Sequence, residues 1–335
     1  MKVKYYLIGI ALLLVALFGY HFIAASQAEE MIDKTVQVEA QKNERISVQY
    51  SAIDVNPFAA DVTIRDLTII LGDHIERANK LTFDIEYLDF VNIYIAGLSY
   101  GLDHLQEAKL TAIRPTYVNK KGLQEIKADT LEVTYSGNAL DGLRSAINGT
   151  PFASSQTIDA YSSGIIFSLP NTSFSTIKAQ QFQYSGSIAR QQGNFWTKGN
   201  HQFRLDSLVW TPPANFQKSY SFFIKGFGYS TDAIPFEYAQ LHSKPTQEAN
   251  KLRIEGAINS KLALFSTSGF IILEDPLSQS KLKDIKVTAS DYSDSFGNVL
   301  ANIERLFSLS IPKTNGSMSL QLRGAVSNPS VVKSN

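Results

Sequence analysis

The chain has no cysteine, which excludes disulfides, thiolate nucleophiles and cysteine-ligated metals. Net charge is lacking too: 31 basic residues balance 31 acidic ones, so no field is available to hold a polyanion, and nucleic acid is not expected as a partner. Histidine is scarce. His21, His74, His104, His201 and His242 are scattered without paired ligand spacing, and each reads as a satisfied surface or core group, not a metal ligand. There is no Gly-x-Ser-x-Gly elbow, and Gly226-Phe227-Gly228 lacks the third glycine and the lysine of a phosphate loop. Ser-x-x-Lys occurs at Ser175/Lys178, Ser278/Lys281 and Ser330/Lys333 in unrelated surroundings, as a chance pattern does. Asp291 and Asp294 form an acid pair ahead of Phe296, a place that suits turn formation and helix capping better than acid–base chemistry. No cofactor, no metal and no enzymatic activity are expected.

Charge is also missing from Tyr5 to Ala25, YYLIGIALLLVALFGYHFIAA. A helix through this run is about 31 Å long, the thickness of a bilayer's hydrocarbon core. Lys2 and Lys4 precede it and Glu29 and Glu30 follow it, so the N-terminus is expected in the cytoplasm and the bulk of the chain across the membrane. The expected organisation is a cytoplasmic tip (1–4), a transmembrane anchor (5–25), a polar stalk (26–45) and an extracytoplasmic domain (46–335). A cleaved signal peptide ending near Ser26-Gln27-Ala28 is the rival reading, although its apolar region would run to only about 7–15 residues.

What remains is strand material. Aromatic residues make up 11% of the chain and charged ones 19%, with Ser, Thr, Asn and Gln plentiful between them. Leu81, Phe83 and Ile85 alternate with Thr82, Asp84 and Glu86, and Leu131, Val133 and Tyr135 with Thr130, Glu132 and Thr134. The same one-faced alternation returns at Phe182 and Tyr184, at Phe203 and Leu205, and at Met318, Leu320 and Leu322. Leu67, Ile69 and Leu71 are offset after Asp66, and Pro115 bends the strand of Leu105 to Val118. Tyr87 to Ala96 reads as a short helix or a buried strand. Asn138 to Asn148 and Asp294 to Leu309 read as helices, the second from Phe296, Leu300, Ile303 and Phe307 at helical spacing. Loops are expected around Asn148–Ser163, Pro212–Ser219 and His242–Asn250. The fold class is mostly β with few short helices. Two arrangements satisfy so many one-faced strands. A sandwich buries two apolar faces against each other, whereas a curved sheet leaves one face lined for an apolar ligand.

The opening of the domain bears on that choice. Ile46–Val55 ends in Asn56-Pro57, and is followed by Val62-Thr63-Ile64-Arg65-Asp66-Leu67-Thr68-Ile69, by Ile75 to Ile85, and by Leu105 to Val118 with its Arg114-Pro115. The chain closes on Leu320-Gln321-Leu322-Arg323-Gly324-Ala325-Val326-Ser327-Asn328-Pro329-Ser330-Val331. Behind an N-terminal span, this order resembles the AsmA-like proteins. The resemblance implies an inner-membrane-anchored periplasmic protein of the bridge-like lipid-transfer type. Its elongated antiparallel β-groove would shield phospholipid acyl chains and support outer-membrane biogenesis. Phospholipid and the inner membrane are then the expected partners. About 14 strands at about 4.8 Å would make a ladder of roughly 65–70 Å, which leaves open an envelope protein partner or a regulatory role. The groove face is expected to draw on Leu81, Phe83, Ile85, Leu110, Leu131, Val133, Phe182, Phe203 and Leu205. The alternative is an envelope scaffold with a closed sandwich and no lipid.

Overall fold

The computed structural model describes residues 25–27, 29, 30, 33, 34 and 46–332, apart from gaps at 97–99, 101–102, 122, 149–150, 170–174, 249, 275–278, 308–312, 315–316 and 327. The expected anchor lies outside the described residues but for Ala25, and most of the expected stalk does too. Among the described residues, no helix is long and apolar enough to cross a membrane.

The alternating segments form one antiparallel sheet of 18 strands. In chain order they are β1 (Ile46–Gln49), β2 (Ala52–Asn56), β3 (Asp61–Leu71), β4 (His74–Ile85), β5 (Glu107–Ile113), β6 (Thr116–Asn119), β7 (Gln124–Lys127), β8 (Thr130–Ser136) and β9 (Gln156–Leu169). There follow β10 (Ser175–Ile188), β11 (Asn200–Thr211), β12 (Ile234–Pro245), β13 (Lys251–Asn259), β14 (Leu264–Ile272), β15 (Lys281–Ser290), β16 (Lys313–Thr314), β17 (Ser317–Ala325) and β18 (Asn328–Val332). Apart from interrupted strands, neighbours in sequence are neighbours in the sheet. Several strands are interrupted yet keep one place in the ladder: β1 and β2 both pair with β3, β5 and β6 both pair with β4, and β7 and β8 both pair with β9. The meander then runs singly from β9 to β15, on to β17, and ends with β16 and β18 on β17. Its local cause is turn chemistry. Gly72, at φ 60°, supplies the left-handed residue that lets Leu71 pair with His74 across a two-residue hairpin.

A crease crosses the sheet. Asp66, Arg114 and Ser207 have φ of 51°, 50° and 51°, and Gly164 has φ 61°, each in the middle of a long strand or at the break between β5 and β6. Register sets these positions in one line, because Asp129 donates its N–H to Ser163, Arg114 donates to Asp129, and Gln180 lies between Gly164 and Ser207. Each step moves the apolar phase by one residue, from Ile64 to Leu67 on β3 and from Leu205 to Leu208 on β11. On the central strands, Phe182, Leu205 and Ala239 pack with Ile165, Ala179, Leu208 and Phe236 across it. The apolar face therefore continues over the crease. The offset after Asp66 and the bend at Pro115, both visible in the sequence, are two points on this line.

Helices sit at the strand ends: α1 (Tyr87–Ala96), α2 (Ala139–Asn148) and the single turn α3 (Phe195–Lys198) at one end, α4 (Ala214–Gly226) and α5 (Asp294–Phe307) at the other. Tyr87 to Ala96 thus resolves as a helix. Asn138 starts α2 by accepting the N–H of Asp141 at 2.8 Å, and Ser293 starts α5 by accepting the N–H of Phe296. Three expected loops are shorter than the sequence suggests. Asn148–Ser163 gives way to β9 at Gln156, His242–Asn250 is strand as far as Pro245, and Pro212–Ser219 runs into α4. Serine and threonine suggested turns in the first case. In the last, a helix starts directly after Pro213, because its Phe216, Tyr220, Phe223 and Ile224 recur at helical spacing.

Candidate functional site

Residues opposite each other in an antiparallel ladder share a face, so register alone defines the surface of the sheet. One row reads Val55, Val62, Phe83, Leu110, Val133, Ala160, Tyr184, Phe203, Leu241, Gly256, Thr267, Val287 and Leu320 from β2 to β17. The row beside it reads Ile53, Ile64, Leu81, Ala112, Leu131, Ser162, Phe182, Leu205, Ala239, Ile258, Phe265, Ala289 and Met318. Thr267, Ser162 and Gly256, which has no side chain, interrupt the apolar side chains. Between these two rows, on the opposite face, stand Asp54, Thr63, Thr82, Thr111, Glu132, Tyr161, Gln183, Arg204, Gln240, Ala257, Ser266, Thr288 and Ser319.

All the residues expected on a groove face come together. Phe83, Leu110, Val133 and Phe203 are in the first row, Leu81, Leu131, Phe182 and Leu205 in the second, and Ile85 lies one step further toward α1, opposite Ala108. Sequence reasoning missed Val62, Ile64, Leu241, Ile258, Phe265 and Val287. Val62 and Ile64 sat in a recognised strand. On β12, by contrast, the apolar rows hold only Ala239 and Leu241, and so few large side chains give little alternation to read.

Helices cover the face at its ends; in its middle Ala112, Ser162, Ile165, Ala179 and Leu208 are buried among their neighbours while the larger side chains of the two rows stay partly exposed. Phe90 of α1 buries itself against Val55 and Ala60; Phe195 of α3 joins Phe152, Tyr184 and Ile188; Ile224 of α4 and Phe296 and Leu300 of α5 close over Ala289, with Phe265 and Met318 beside them. Every buried cluster joins elements that are close in the ladder, and none joins one stretch of the sheet to a distant one. The described residues form a single sheet, with no second sheet over it. Leu81, Leu110, Leu131 and Val133 belong to none of these clusters, and Phe83, Leu320, Leu241 and Ile258 are 36%, 37%, 42% and 42% exposed. A cleft of about 460 Å³ opens on this face between Phe182, Phe203, Leu205, Leu241, Ile258, Phe265 and Val287.

The larger hollow, about 900 Å³, lies mainly over the polar face among Glu132, Asp159, Tyr161, Gln183, Gln202, Arg204, Gln240 and His242. Its groups are amides, hydroxyls and charges that water satisfies, and Arg204 is held by Asp206 at 2.8 Å. Size does not make it the better site. Leaving apolar surface in water costs free energy, while leaving this polar surface there does not.

At the α3 rim, His201 is 2% exposed. Its Nε2 meets the carbonyl oxygen of Phe195 at 2.9 Å and so carries the proton, which leaves Nδ1 to accept from the Tyr184 hydroxyl at 2.9 Å. Burial holds the imidazole below its ordinary range and pushes the Tyr184 hydroxyl up to about 12. Both groups are neutral and fully engaged, as a core pair is. Among the described residues, no set of three or more His, Asp or Glu side chains is placed to hold a metal ion. No protein-family model, no curated protein and no solved structure matches the chain.

Proposed function

We propose that this chain is a membrane-anchored extracytoplasmic protein that binds phospholipid and passes it along its apolar face, without catalysis. One observation carries the reading: two adjacent apolar rows run from β2 to β17, and large side chains in their middle, Phe83, Leu241 and Ile258, stay 36%, 42% and 42% exposed. An acyl chain laid there gains about 0.8 kcal/mol per buried methylene, and the same contact removes Phe83, Leu241 and Ile258 from water. The uncharged run Tyr5–Ala25 and its basic leading flank support an anchor in the inner membrane, with the sheet on the periplasmic side. The likeness of the opening strands to AsmA-like proteins supports a role in outer-membrane biogenesis. The curvature of a groove follows from this reading, since a guest needs walls as well as a floor.

The test compares the full chain with a Leu241→Asp/Ile258→Asp variant, both purified from membranes and washed in the same detergent. Extraction and mass spectrometry should find phospholipid retained by the parent and lost from the variant, with melting temperatures within a few degrees. Equal lipid on both, or none on either above a control membrane protein, removes the proposal. A lipid-free envelope scaffold would then account for the sheet.

A further inference from the structure

Among the described side chains of α1, none that faces outward is charged. They are Tyr87, Leu88, Ile95 and Ala96, with Leu88 72% and Ile95 76% exposed. Leu88 and Ile95 stand at i and i+7, hence on one side of the helix. Phe90 is buried among Val55 and Ala60, and the helix's acid, Asp89, accepts the backbone N–H of Gln106. A helix facing water ordinarily carries charge on its outer side. The outer side of α4 carries Lys218 and Lys225 beside the 83% exposed Phe222, so charge is present there and absent from the outer side of α1.

A second observation fixes what lies opposite. The Glu29 carboxylate accepts the N–H of Val55 at 3.2 Å, and Val55 belongs to the cluster that Phe90 fills. Tyr50, in the break between β1 and β2, donates to Asp33. Ala25, the last residue of the uncharged run, precedes Glu29 by four positions, so the two are at most about 14 Å apart along the chain. The end of the proposed anchor is therefore tied to the corner of the sheet on which α1 rests.

We infer that α1 lies in the surface of the bilayer that holds residues 5–25, with Leu88 and Ile95 among acyl chains and Tyr87 at headgroup level. The inference rests on the anchor proposed above and adds a second contact with the same membrane. Its consequence concerns the path of the lipid. Ile53, Val62 and Ile85, packed beneath α1, belong to the apolar face, with Phe83 exposed one residue pair further on. That face then begins at the bilayer, and an acyl chain can enter it without crossing water.

The absence of cysteine makes the test clean. Single variants Leu88→Cys, Ile95→Cys and, at the far end, Phe222→Cys are spin-labelled in the full chain, which is reconstituted in phosphatidylethanolamine/phosphatidylglycerol vesicles. Collision with oxygen should exceed collision with a water-soluble nickel chelate at 88 and 95, and the order should reverse at 222. Labels at 88 and 95 that behave like the one at 222 overturn the inference, as do labels shielded from both reagents, which would mean a protein cover. Vesicle flotation separates the two levels. A chain that floats with its labels in water loses only the role of α1, whereas a chain that does not float loses the anchor as well.

Discussion

The two ends of the apolar face and its middle are made of the same residue types and have opposite fates. Under α4 and α5, Phe265, Ala289 and Met318 are closed over by Ile224, Phe296 and Leu300. In the middle, on the same two rows, Leu241 and Ile258 are each 42% exposed and, among the described residues, belong to no buried cluster. Composition does not distinguish these places; cover does. Helices reach the apolar face only where a strand-to-strand connection is long enough to hold one, as between β11 and β12 or after β15. Short connections, such as Gly72-Asp73 between β3 and β4, hold no helix, although Leu67 and Ala78 near this one are buried. Leu241 and Ile258 lie where β12, β13 and β14 are joined by short connections that hold no helix, and the stability of the domain is expected to reside in its covered ends.

Substitutions should reveal that difference. The largest effect is expected where cover is thickest. Phe296→Ala removes a buried ring from the α5 cluster and should cost about 3–5 kcal/mol in urea unfolding. A loss below about 1 kcal/mol would mean that the helices do not carry the core.

The crease comes next. Gly164→Ala forces a side chain onto a residue at φ 61°, and its Cβ would run into the Asp129 carboxylate. The expected cost is about 1–3 kcal/mol, read from the same unfolding curves. An unchanged midpoint would show that the line of left-handed residues is not a structural requirement.

His201 supplies a smaller effect with a defined sign. Burial depresses its folded pKa below the ordinary value of 6.5, so the unfolded chain binds the proton first. Its contribution is whole above about pH 6.5 and falls away as pH drops through the lower folded value. Denaturation midpoints of the parent should decline below pH 6.5 more steeply than those of His201→Phe. Parallel slopes would refute the assignment.

The smallest effect on stability belongs to the open middle. Phe83→Asp should leave the melting temperature within a few degrees, because the new carboxylate reaches water, and should still reduce retained phospholipid. Unfolding of that variant would place Phe83 in a sealed core.

Much of this comparison was present in the sequence, and the missing part has a physical reason. Alternation at Leu81-Phe83-Ile85 and Leu131-Val133 names the residues that share a face, because the strand period is two whatever the partner. Pro115 and the offset at Asp66 marked single kinks. Their alignment into a crease depends on register between strands far apart in sequence, which local pattern does not encode. Whether Leu241 and Phe265 are open or covered depends on where α4 and α5 fall. The first of these was hidden behind Pro212-Pro213 and a run of Asn, Gln, Lys and Ser.

On the proposed function, the apolar rows, and not the polar ones between them, touch lipid. A photoreactive amino acid placed at Leu241 or Ile258, and separately at Gln240 or Ala257, tests it in intact membranes. Irradiation should give phospholipid adducts from 241 and 258 and none from 240 and 257. Adducts at equal yield from both faces, or from neither, would contradict the account.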